Sequence, residues 1–261
     1  GKVSFIGFGL INSSLAHIFK LKKLANKTSA FSRRIETRDK IRSLNIVDIV
    51  NDDIEDSVKD SDLIVLGVPV GAMESVIKKI LPYLKKGVII TDVGSIKKKL
   101  VDTLVPLLPK DVYFIPGHPI AGTEKSGPES GFPELFNGRG CILTPYSDTS
   151  QKARDKIKFM WEQAGMKVAI MDAEYHDRVL AITSHIPHLV AFSIVGTVTE
   201  LEDQLKTEVI KYSAGGFRDF TRIAASDPIM WRDVFLNNSE AVLEMLGRFI
   251  EDLTALQKSI R

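Results

Sequence analysis

Hydrophobic residues are arranged in two different ways along this chain, and the arrangement changes near residue 172. Before that point, short uninterrupted apolar runs alternate with amphipathic segments of helical period, which is the pattern of buried parallel strands joined by crossover helices. We therefore expect an α/β domain over residues 1–171, built on a doubly wound, mainly parallel sheet. Its predicted strands are 3–6, 29–31, 62–68, 88–91, 112–115, 141–144 and 168–171.

Residues 172–261 carry helical periodicity without strand-like runs, which predicts an all-α second domain. Its predicted helices are 175–199, 201–213, 228–250 and 253–260. The apolar stretches 180–198 and 235–256 exceed what roughly 90 residues can bury among themselves. Such surface is typical of a subunit interface, so we expect a homodimer formed through the helical domain.

Composition and charge exclude several other classes of protein. The 261 residues carry a net charge of +2, which gives no electrostatic reason to expect nucleic-acid binding. The lysine clusters at 20–23 and 97–99 are therefore expected on solvated helix faces. The single cysteine, Cys141, excludes an internal disulfide and is expected to be buried. Because no run reaches the ~18 apolar residues of a membrane span, we expect a cytoplasmic protein without membrane contact.

A glycine-containing turn follows the first predicted strand. Gly7 and Gly9 are separated by one residue and precede an amphipathic helix that starts near Leu10 and Ile11. In this setting the first glycine permits a tight turn, and the second lets a pyrophosphate approach the backbone at the helix N-terminus. Asn12 replaces the third glycine of the usual fingerprint and predicts a slightly wider fit of the helix on the strand. The segment therefore predicts a dinucleotide site.

Residues at the ends of the next two predicted strands bear on the choice between NAD and NADP. Ser32 stands where an NAD site usually has a carboxylate for the ribose hydroxyls, and Arg33 and Arg34 follow it. A hydroxyl beside guanidinium groups suits the 2′-phosphate of NADP, unless the arginines stack on the adenine or face solvent. The serine and the two arginines therefore favour NADP over NAD. Val68 and Pro69, at the end of a later strand, are expected to border the same crevice.

The segment 117–127 directly follows a predicted strand and contains His118 and Glu124 among several glycines. An imidazole at a strand end of an α/β sheet is a candidate general base. The alternative is a histidine that caps a turn in a surface loop. Ser95, after the strand 88–91, is expected to cap the helix that starts there, to reach the nicotinamide side of the crevice, or to do both.

The helical domain adds two groups of polar residues. His185 and His188 are three residues apart on one helix face, and Pro187 is expected to kink or break that helix. Since no cysteine or paired carboxylate completes a metal-ligand spacing, no metal is expected. Farther along, Arg218 and Arg222 follow a glycine pair that reads as a flexible turn. Their guanidinium groups either bind a substrate carboxylate or pair with neighbouring aspartates.

Together these segments form a family signature. It consists of Gly7-x-Gly9-Leu10-Ile11, Asp92-x-Gly94-Ser95, Gly117-His118-Pro119-x-Ala121-Gly122-Thr123, Ser184-His185-x-Pro187-His188 and Gly216-Phe217-x-Asp219-x-x-Arg222. Over essentially its full length the chain resembles the prephenate/arogenate dehydrogenases of tyrosine biosynthesis. The resemblance implies a Rossmann-type domain followed by a helical dimerisation domain. It also implies an oxidative decarboxylation that transfers hydride to NAD or NADP.

The resemblance further implies roles for individual residues. His118 matches the catalytic histidine, which accepts the proton of the ring hydroxyl as hydride leaves for the nicotinamide. Ser95 matches the serine that orients this histidine, and Arg222 matches the arginine that binds a substrate carboxylate. The other matching positions belong to the substrate pocket and its loop: Thr123, Glu124, Ser184, His188 and Trp231.

The two substrates of the family differ at the side chain, where prephenate has a keto group and arogenate an ammonium. Glu124 and His188 belong to the pattern of prephenate-accepting members, so the resemblance favours prephenate, although Glu124 would also attract an ammonium. One rival hypothesis is a β-hydroxyacid dehydrogenase, whose base is a helix lysine, and no lysine stands in 183–188. Another is a dinucleotide-sensing dimer without catalysis, which would not require a base, a serine and an arginine to converge.

Overall fold

The computed structural model describes residues 1–123 and 125–261, which form two compact units, Gly1–His176 and Asp177–Arg261. The sequence predicted a boundary after residue 171. Each unit has its own secondary structure and its own buried apolar residues.

Six parallel strands form the main sheet of the first unit. They are β1 (Lys2–Ile6), β2 (Lys27–Phe31), β3 (Ile49–Val50), β4 (Leu63–Leu66), β5 (Ile89–Asp92) and β6 (Tyr113–Ile115). Their order across the sheet is β3-β2-β1-β4-β5-β6. On β4, Val65 packs into one apolar cluster while Ile64 and Leu66 pack into another, because successive side chains point to opposite faces. The sheet is buried on both faces, as predicted for a doubly wound fold.

Helices cover the two faces of this sheet. They are α1 (Leu10–Lys22), α2 (Ile35–Leu44), α3 (Ile54–Val58), α4 (Val70–Ile80), α5 (Lys98–Leu104) and α6 (Gln151–Gln163). Parallel strands require such crossover connections, and the connections place every carboxyl end of a strand at the same edge of the sheet.

A second, smaller sheet corrects the prediction for the end of the first unit. Strands β7 (Gly117–Pro119), β8 (Gly140–Leu143) and β9 (Lys167–Ile170) form a separate three-stranded sheet instead of extending the main one. Strand β7 is antiparallel to β8, and β8 is parallel to β9. Pro116 separates β6 from β7, and because proline has no backbone N–H it cannot continue the ladder of β6.

The second unit is all α-helical, as predicted, with different helix ends. Helix α7 (Ala173–Leu180) starts in the first unit and continues through a π-helical segment, Ala181–His185. The helices that follow are α8 (Ile186–Thr199), α9 (Asp203–Lys211), α10 (Gly215–Thr221), α11 (Pro228–Asn237) and α12 (Ser239–Ile260). The predicted flexible turn at the glycine pair is therefore the start of α10.

The break between the last two helices was predicted near residue 251 and lies instead at Asn238. The Asn238 side chain is buried, and its Nδ2 donates to the carbonyl of Asp177 at 3.0 Å and contacts Nδ1 of His185 at 3.0 Å. These contacts satisfy the Asn238 amide in the interior. One helix therefore ends and the next begins at a polar residue, although the apolar periodicity of the sequence continues across it.

The continuous helix Ala173–Thr199 corrects another prediction. It has 27 residues and a mean hydropathy of 1.6 in its most apolar window, which satisfies the length and composition of a membrane span. The expectation that no stretch reaches this length was therefore wrong by that criterion. Within this window, 28% is buried in the structure.

Candidate active site

The turn after β1 has the geometry of a dinucleotide site. Gly7 has φ of 78°, and a Cβ there would lie 2.6 Å from the backbone nitrogen of Val68. Among the described residues, no atom lies within 4 Å of the position that a Cβ on Gly9 would take. Gly9 is the N-cap of α1, whose first turn has no acidic residue. The turn therefore offers open space and unblocked backbone N–H groups to a phosphate, which fits the predicted cofactor.

Asn12 is hydrogen-bonded into this turn. Its side chain is buried, and Nδ2 donates to the carbonyl oxygens of Gly7 at 2.6 Å and Val65 at 3.3 Å. A Cβ on Gly67 would lie only 2.5 Å from that nitrogen. The amide therefore links α1 to the turn after β1 and to β4, and the wider fit of the helix on the strand stays a prediction.

The end of β2 presents cations. Arg33 and Arg34 are exposed, and Arg34 lies 3.8 Å from Glu36. Arg38, which the sequence reasoning missed, donates to the carbonyls of Ser32 at 2.9 Å and Arg33 at 3.0 Å. It also pairs with Asp52 at 3.0 Å, so it fixes the loop in which the predicted ribose-binding residues stand.

His118 lies inside strand β7, where the sequence predicted a loop after a strand. Its backbone pairs with Ile142, and its side chain is 8% exposed. Nδ1 of His118 lies 2.9 Å from Nε2 of His176, which is fully buried, and the two rings meet edge to face. Because one ring nitrogen must donate and the other accept, this contact makes the tautomers of the two histidines depend on each other. The capped-turn alternative for His118 is therefore wrong.

Asp92 connects the segments before Ser95 and His118. One oxygen of this buried carboxylate accepts from the backbone N–H of Gly94 at 2.8 Å and from Nζ of Lys97, and the other accepts from Gly117 at 3.1 Å. The prediction that Lys97 lies on a solvated face was wrong, since its side chain is fully buried against Asp92.

Ser95 does not cap the helix that follows it. Helix α5 starts at Lys98, and its N-cap residue is Lys97. The half-buried Ser95 stands between the end of β5 and this helix, at the sheet edge where β1 and β4 also end. The role of Ser95 on the nicotinamide side of the crevice stays a prediction.

Two more predicted residues border the glycine turn, and two belong to the loop after β7. Val68 contacts the turn, since a Cβ on Gly7 would lie 2.7 Å from its Cγ1, and Pro69 is the N-cap of α4. The hydroxyl of Thr123 accepts from the backbone N–H of Lys125 at 3.1 Å. Glu124 lies outside the described residues.

In the helical unit, His185, His188 and Trp231 form one aromatic cluster, so the predicted shared helix face is confirmed. The His188 ring stacks on Trp231 with centroids 3.6 Å apart, and His185 meets Trp231 edge to face at 6.0 Å. Nδ1 of His188 lies 2.8 Å from the carbonyl oxygen of Ser184 and must donate to it. Burial lowers the pKa of His188.

The predicted break at Pro187 is absent. The helix passes through this residue because Pro187 stands in the first turn of α8, directly after the π-helical segment. A wider turn before the proline accommodates its missing N–H without ending the helix.

Arg222 begins a short 3₁₀ helix, Arg222–Ala225, and its side chain is exposed. Across 1–123 and 125–261, no ion pair of Arg222 or Arg218 is found, so the predicted alternative of pairing with a nearby aspartate is not observed. An exposed guanidinium without a carboxylate partner in the described chain is suited to binding an acidic ligand.

The composition of these clusters gives no sign of a metal centre. No group of three or more His, Cys, Asp or Glu side chains in the described part of the chain is placed to hold a metal ion. Cys141 is buried, as predicted, and burial raises the pKa of its thiol.

Two family models match successive parts of the chain. The model described as "Prephenate dehydrogenase, nucleotide-binding domain" matches residues 15–170. The model described as "Prephenate dehydrogenase, dimerization domain" matches residues 172–261. The chain belongs to the prephenate dehydrogenase family. The first unit thus contains the family's nucleotide-binding domain, and the glycine turn lies just before the matched residues.

Individual relatives agree with this assignment. A cyclohexadienyl dehydrogenase of Zymomonas mobilis is 44% identical over 258 residues, which cover 99% of this chain and 88% of the relative. A prephenate dehydrogenase of Bacillus subtilis is 32% identical over 252 residues, covering 96% and 68%. The crystal structure of Aquifex aeolicus prephenate dehydrogenase, in complex with hydroxyphenyl propionate and NAD+, matches this chain with a TM-score of 0.92 and 38% sequence identity. The alignment covers 99% of this chain and 90% of that chain.

For this member of the prephenate dehydrogenase family, the structure adds Asp92 and His176, besides Arg38, to the residues around the predicted site. Asp92 stood in the signature without a role, and the two glycines that it contacts were the available signal. His176 had no comparable signal, because its contact with His118 joins residues far apart in the sequence.

Proposed function

We propose that this protein catalyses the oxidative decarboxylation of prephenate to 4-hydroxyphenylpyruvate in tyrosine biosynthesis, with NAD or NADP as the hydride acceptor. The observation that carries the proposal is the buried hydrogen-bond contact between His118 and His176, which orients one imidazole through the other. A structural histidine would not need a second buried histidine to set its protonation. The family assignment supplies the substrate class.

His118 acts as the general base. To accept a proton at Nε2 its Nδ1 must carry hydrogen, and Nε2 of His176 then accepts that N–H. This bond persists after protonation, because Nδ1 of His118 is the donor in both states, and it stabilises the imidazolium. When bound, the nicotinamide supplies the acceptor for the hydride that leaves the ring carbon.

The proton and electrons balance in one sequence. His118 takes the proton of the ring hydroxyl, and the oxygen forms a carbonyl as hydride departs. The bond between the ring and its carboxylate then breaks, and its electrons pass through the ring to the carbonyl oxygen as carbon dioxide leaves. That oxygen takes the proton back from His118 and becomes the hydroxyl of the aromatic product. Ser95 orients the hydroxyl and Arg222 binds a substrate carboxylate, since a planar guanidinium matches a carboxylate in two hydrogen bonds.

Arogenate is a second candidate substrate, and one observation favours it. Since Nδ1 of His188 donates to Ser184, the neutral ring offers only Nε2 as an acceptor. The lowered pKa of His188 keeps the ring neutral near pH 7. A neutral acceptor suits the ammonium of arogenate, whereas a protonated ring would donate to the keto group of prephenate. We therefore propose use of both substrates, with prephenate as the main one.

For the cofactor we propose a preference for NADP. The exposed Arg33 and Arg34 follow Ser32, and Arg38 holds that loop through two carbonyl oxygens. A 2′-phosphate beside two guanidinium groups would gain charge-assisted hydrogen bonds that NAD lacks.

We propose further that the protein is a cytoplasmic homodimer joined through its helical domain. Exposed apolar side chains recur at three- and seven-residue spacing on α12: Leu243, Ile250, Leu253 and Leu256. We assign the exposed apolar side chains of the helix Ala173–Thr199 to contact with a partner subunit instead of lipid. Light scattering of the purified protein should give the mass of two chains, and Leu253→Lys should lower it. A monomeric mass, or flotation with lipid vesicles, would contradict this assignment.

A direct assay tests the function. The purified protein is mixed with prephenate or arogenate and with NAD or NADP, and formation of the reduced cofactor is followed by absorbance. We expect turnover with prephenate, slower turnover with arogenate, and a lower KM for NADP. Absence of turnover in all four mixtures would favour the dinucleotide-sensing alternative. Turnover with β-hydroxyacids alone would favour the other rival.

A further inference from the structure

The ion pair of Asp92 and Lys97 is fully buried, with both side chains at 0% exposure. Removing two charges from water is costly, and a buried ion pair often stabilises a fold less than apolar side chains of the same volume. Stability alone therefore gives a weak reason for this pair. Its place in the fold gives a stronger one, because Asp92 ends β5 at the sheet edge where the glycine turn also lies.

The Asp92 carboxylate touches the backbone immediately before each of two catalytic side chains. One oxygen accepts the N–H of Gly94, the residue before Ser95, at 2.8 Å. The other accepts the N–H of Gly117, the residue before His118, at 3.1 Å. Lys97 binds the first oxygen, so the carboxylate cannot rotate without breaking an ion pair as well as hydrogen bonds.

Close packing removes the space in which either segment could shift. A Cβ on Gly94 would lie 3.0 Å from the Asp92 carboxylate and 3.0 Å from Cγ2 of Val70. A Cβ on Gly117 would lie 3.1 Å from the carbonyl oxygen of Asp92 and 3.3 Å from Cδ2 of Leu143. A Cβ at either position would displace a neighbour by a few tenths of an ångström, so both backbone segments pack closely against Asp92.

We propose that Asp92, held by Lys97, is a positioning residue that fixes Ser95 and His118 relative to each other. This inference rests on the proposed function. A displacement of about 1 Å in a catalytic group costs on the order of 100-fold in rate. Loss of the pair should therefore lower kcat by roughly tenfold to 100-fold. The Kd of the dinucleotide should stay unchanged, because the glycine turn after β1 is a different segment from the two that Asp92 binds.

The main variant is Asp92→Asn combined with Lys97→Met, because it removes both charges of the buried pair together. The matched control is Asp62→Asn. Asp62 is also next to a strand of the main sheet, pairs with Lys85 at 2.5 Å and accepts the backbone N–H of Lys2 at 2.7 Å. It stands before β4, at the opposite edge of the sheet. We expect the control to retain kcat and the main variant to lose it.

A double-mutant cycle separates positioning from general destabilisation. If Asp92 acts through Ser95, the main variant should lose less activity in a Ser95→Ala background than in the unaltered protein. Multiplied losses, or an unaltered kcat in the main variant, would overturn the proposal. Should that variant fail to fold, Gly94→Ala places a methyl 3.0 Å from the same carboxylate. The same fall in kcat is then expected, and an unaltered kcat would again overturn it.

Failure of the proposed function is distinguishable from failure of this inference. The first appears as absence of turnover in the unaltered protein. Whether or not the protein is active, the imidazole NMR signals of His118 should shift in the main variant and stay in place in Asp62→Asn. Unshifted signals in both variants would overturn the positioning role.

Discussion

Replacing His176 by leucine removes the acceptor for the Nδ1–H of His118 while keeping an apolar side chain in a fully buried position. In the proposed mechanism this hydrogen bond strengthens when His118 becomes an imidazolium. A hydrogen bond to a charged group contributes about 1.5–3 kcal/mol. If all of it is realised in the transition state, kcat should fall roughly tenfold to 150-fold, since each 1.4 kcal/mol is a factor of ten.

The assay is initial-rate kinetics with saturating cofactor and varied prephenate, with the Kd of the cofactor measured separately. The matched control is His176→Gln, whose side-chain carbonyl retains an acceptor. We expect His176→Gln to recover part of the lost kcat, and both variants to bind cofactor normally. Equal losses in the two variants would show that packing matters and the hydrogen bond does not. An unaltered kcat in His176→Leu would refute the reasoning.

Three further predictions concern other parts of the site. Arg222→Gln should raise the KM for prephenate with a smaller change in kcat, because the guanidinium binds a carboxylate; an unaltered KM in steady-state kinetics would remove that role. Arg33→Ala should weaken NADP binding and leave NAD binding alone, as measured by fluorescence titration, and equal NADP affinity would end the phosphate hypothesis. Burial lowers the pKa of His188 below 6.5, so the unfolded chain protonates first and the free energy of unfolding falls as pH drops below about 6.5. His188→Gln should reduce this fall, as measured by the difference in Tm between pH about 8 and about 5. His17→Gln is the comparison variant, because burial lowers the pKa of His17 as well. An identical pH dependence of Tm in His188→Gln and the unaltered protein would contradict the expected contribution of His188.

Local pattern predicted five of the six strands of the main sheet and the cofactor turn. Strands such as β4 are continuous apolar runs because both faces of the sheet are covered. Gly7 was recognisable because its positive φ is rare for other residues. Strand β3 was missed because its two residues are too short to carry a pattern.

Contacts between distant segments were not predictable in the same way. Lys97 looks like part of a solvated lysine cluster, and only the fold brings its stem into the interior beside Asp92. The separate sheet of β7, β8 and β9 depends on Pro116, which ends one ladder and frees the chain to start another. The partner of His118 was missed because His176 lies on a helix predicted only from its apolar period.

The predicted helix ends in the second unit were wrong for a related reason. Apolar periodicity continues across Asn238, so no local pattern indicates that a helix ends there. The break follows from the buried bonds of the Asn238 amide to Asp177 and His185, which are tertiary contacts. Periodicity thus predicts which face of a helix is apolar more securely than where the helix stops.

In the proposed mechanism, His118 is the base that accepts the substrate proton. The variant His118→Asn tests this role, because it removes the basic nitrogen and retains a polar side chain of similar size. We expect unchanged binding of the cofactor and a fall in kcat of about 100-fold to 10,000-fold, the range for loss of a general base. An unaltered kcat in a folded His118→Asn protein would contradict the account.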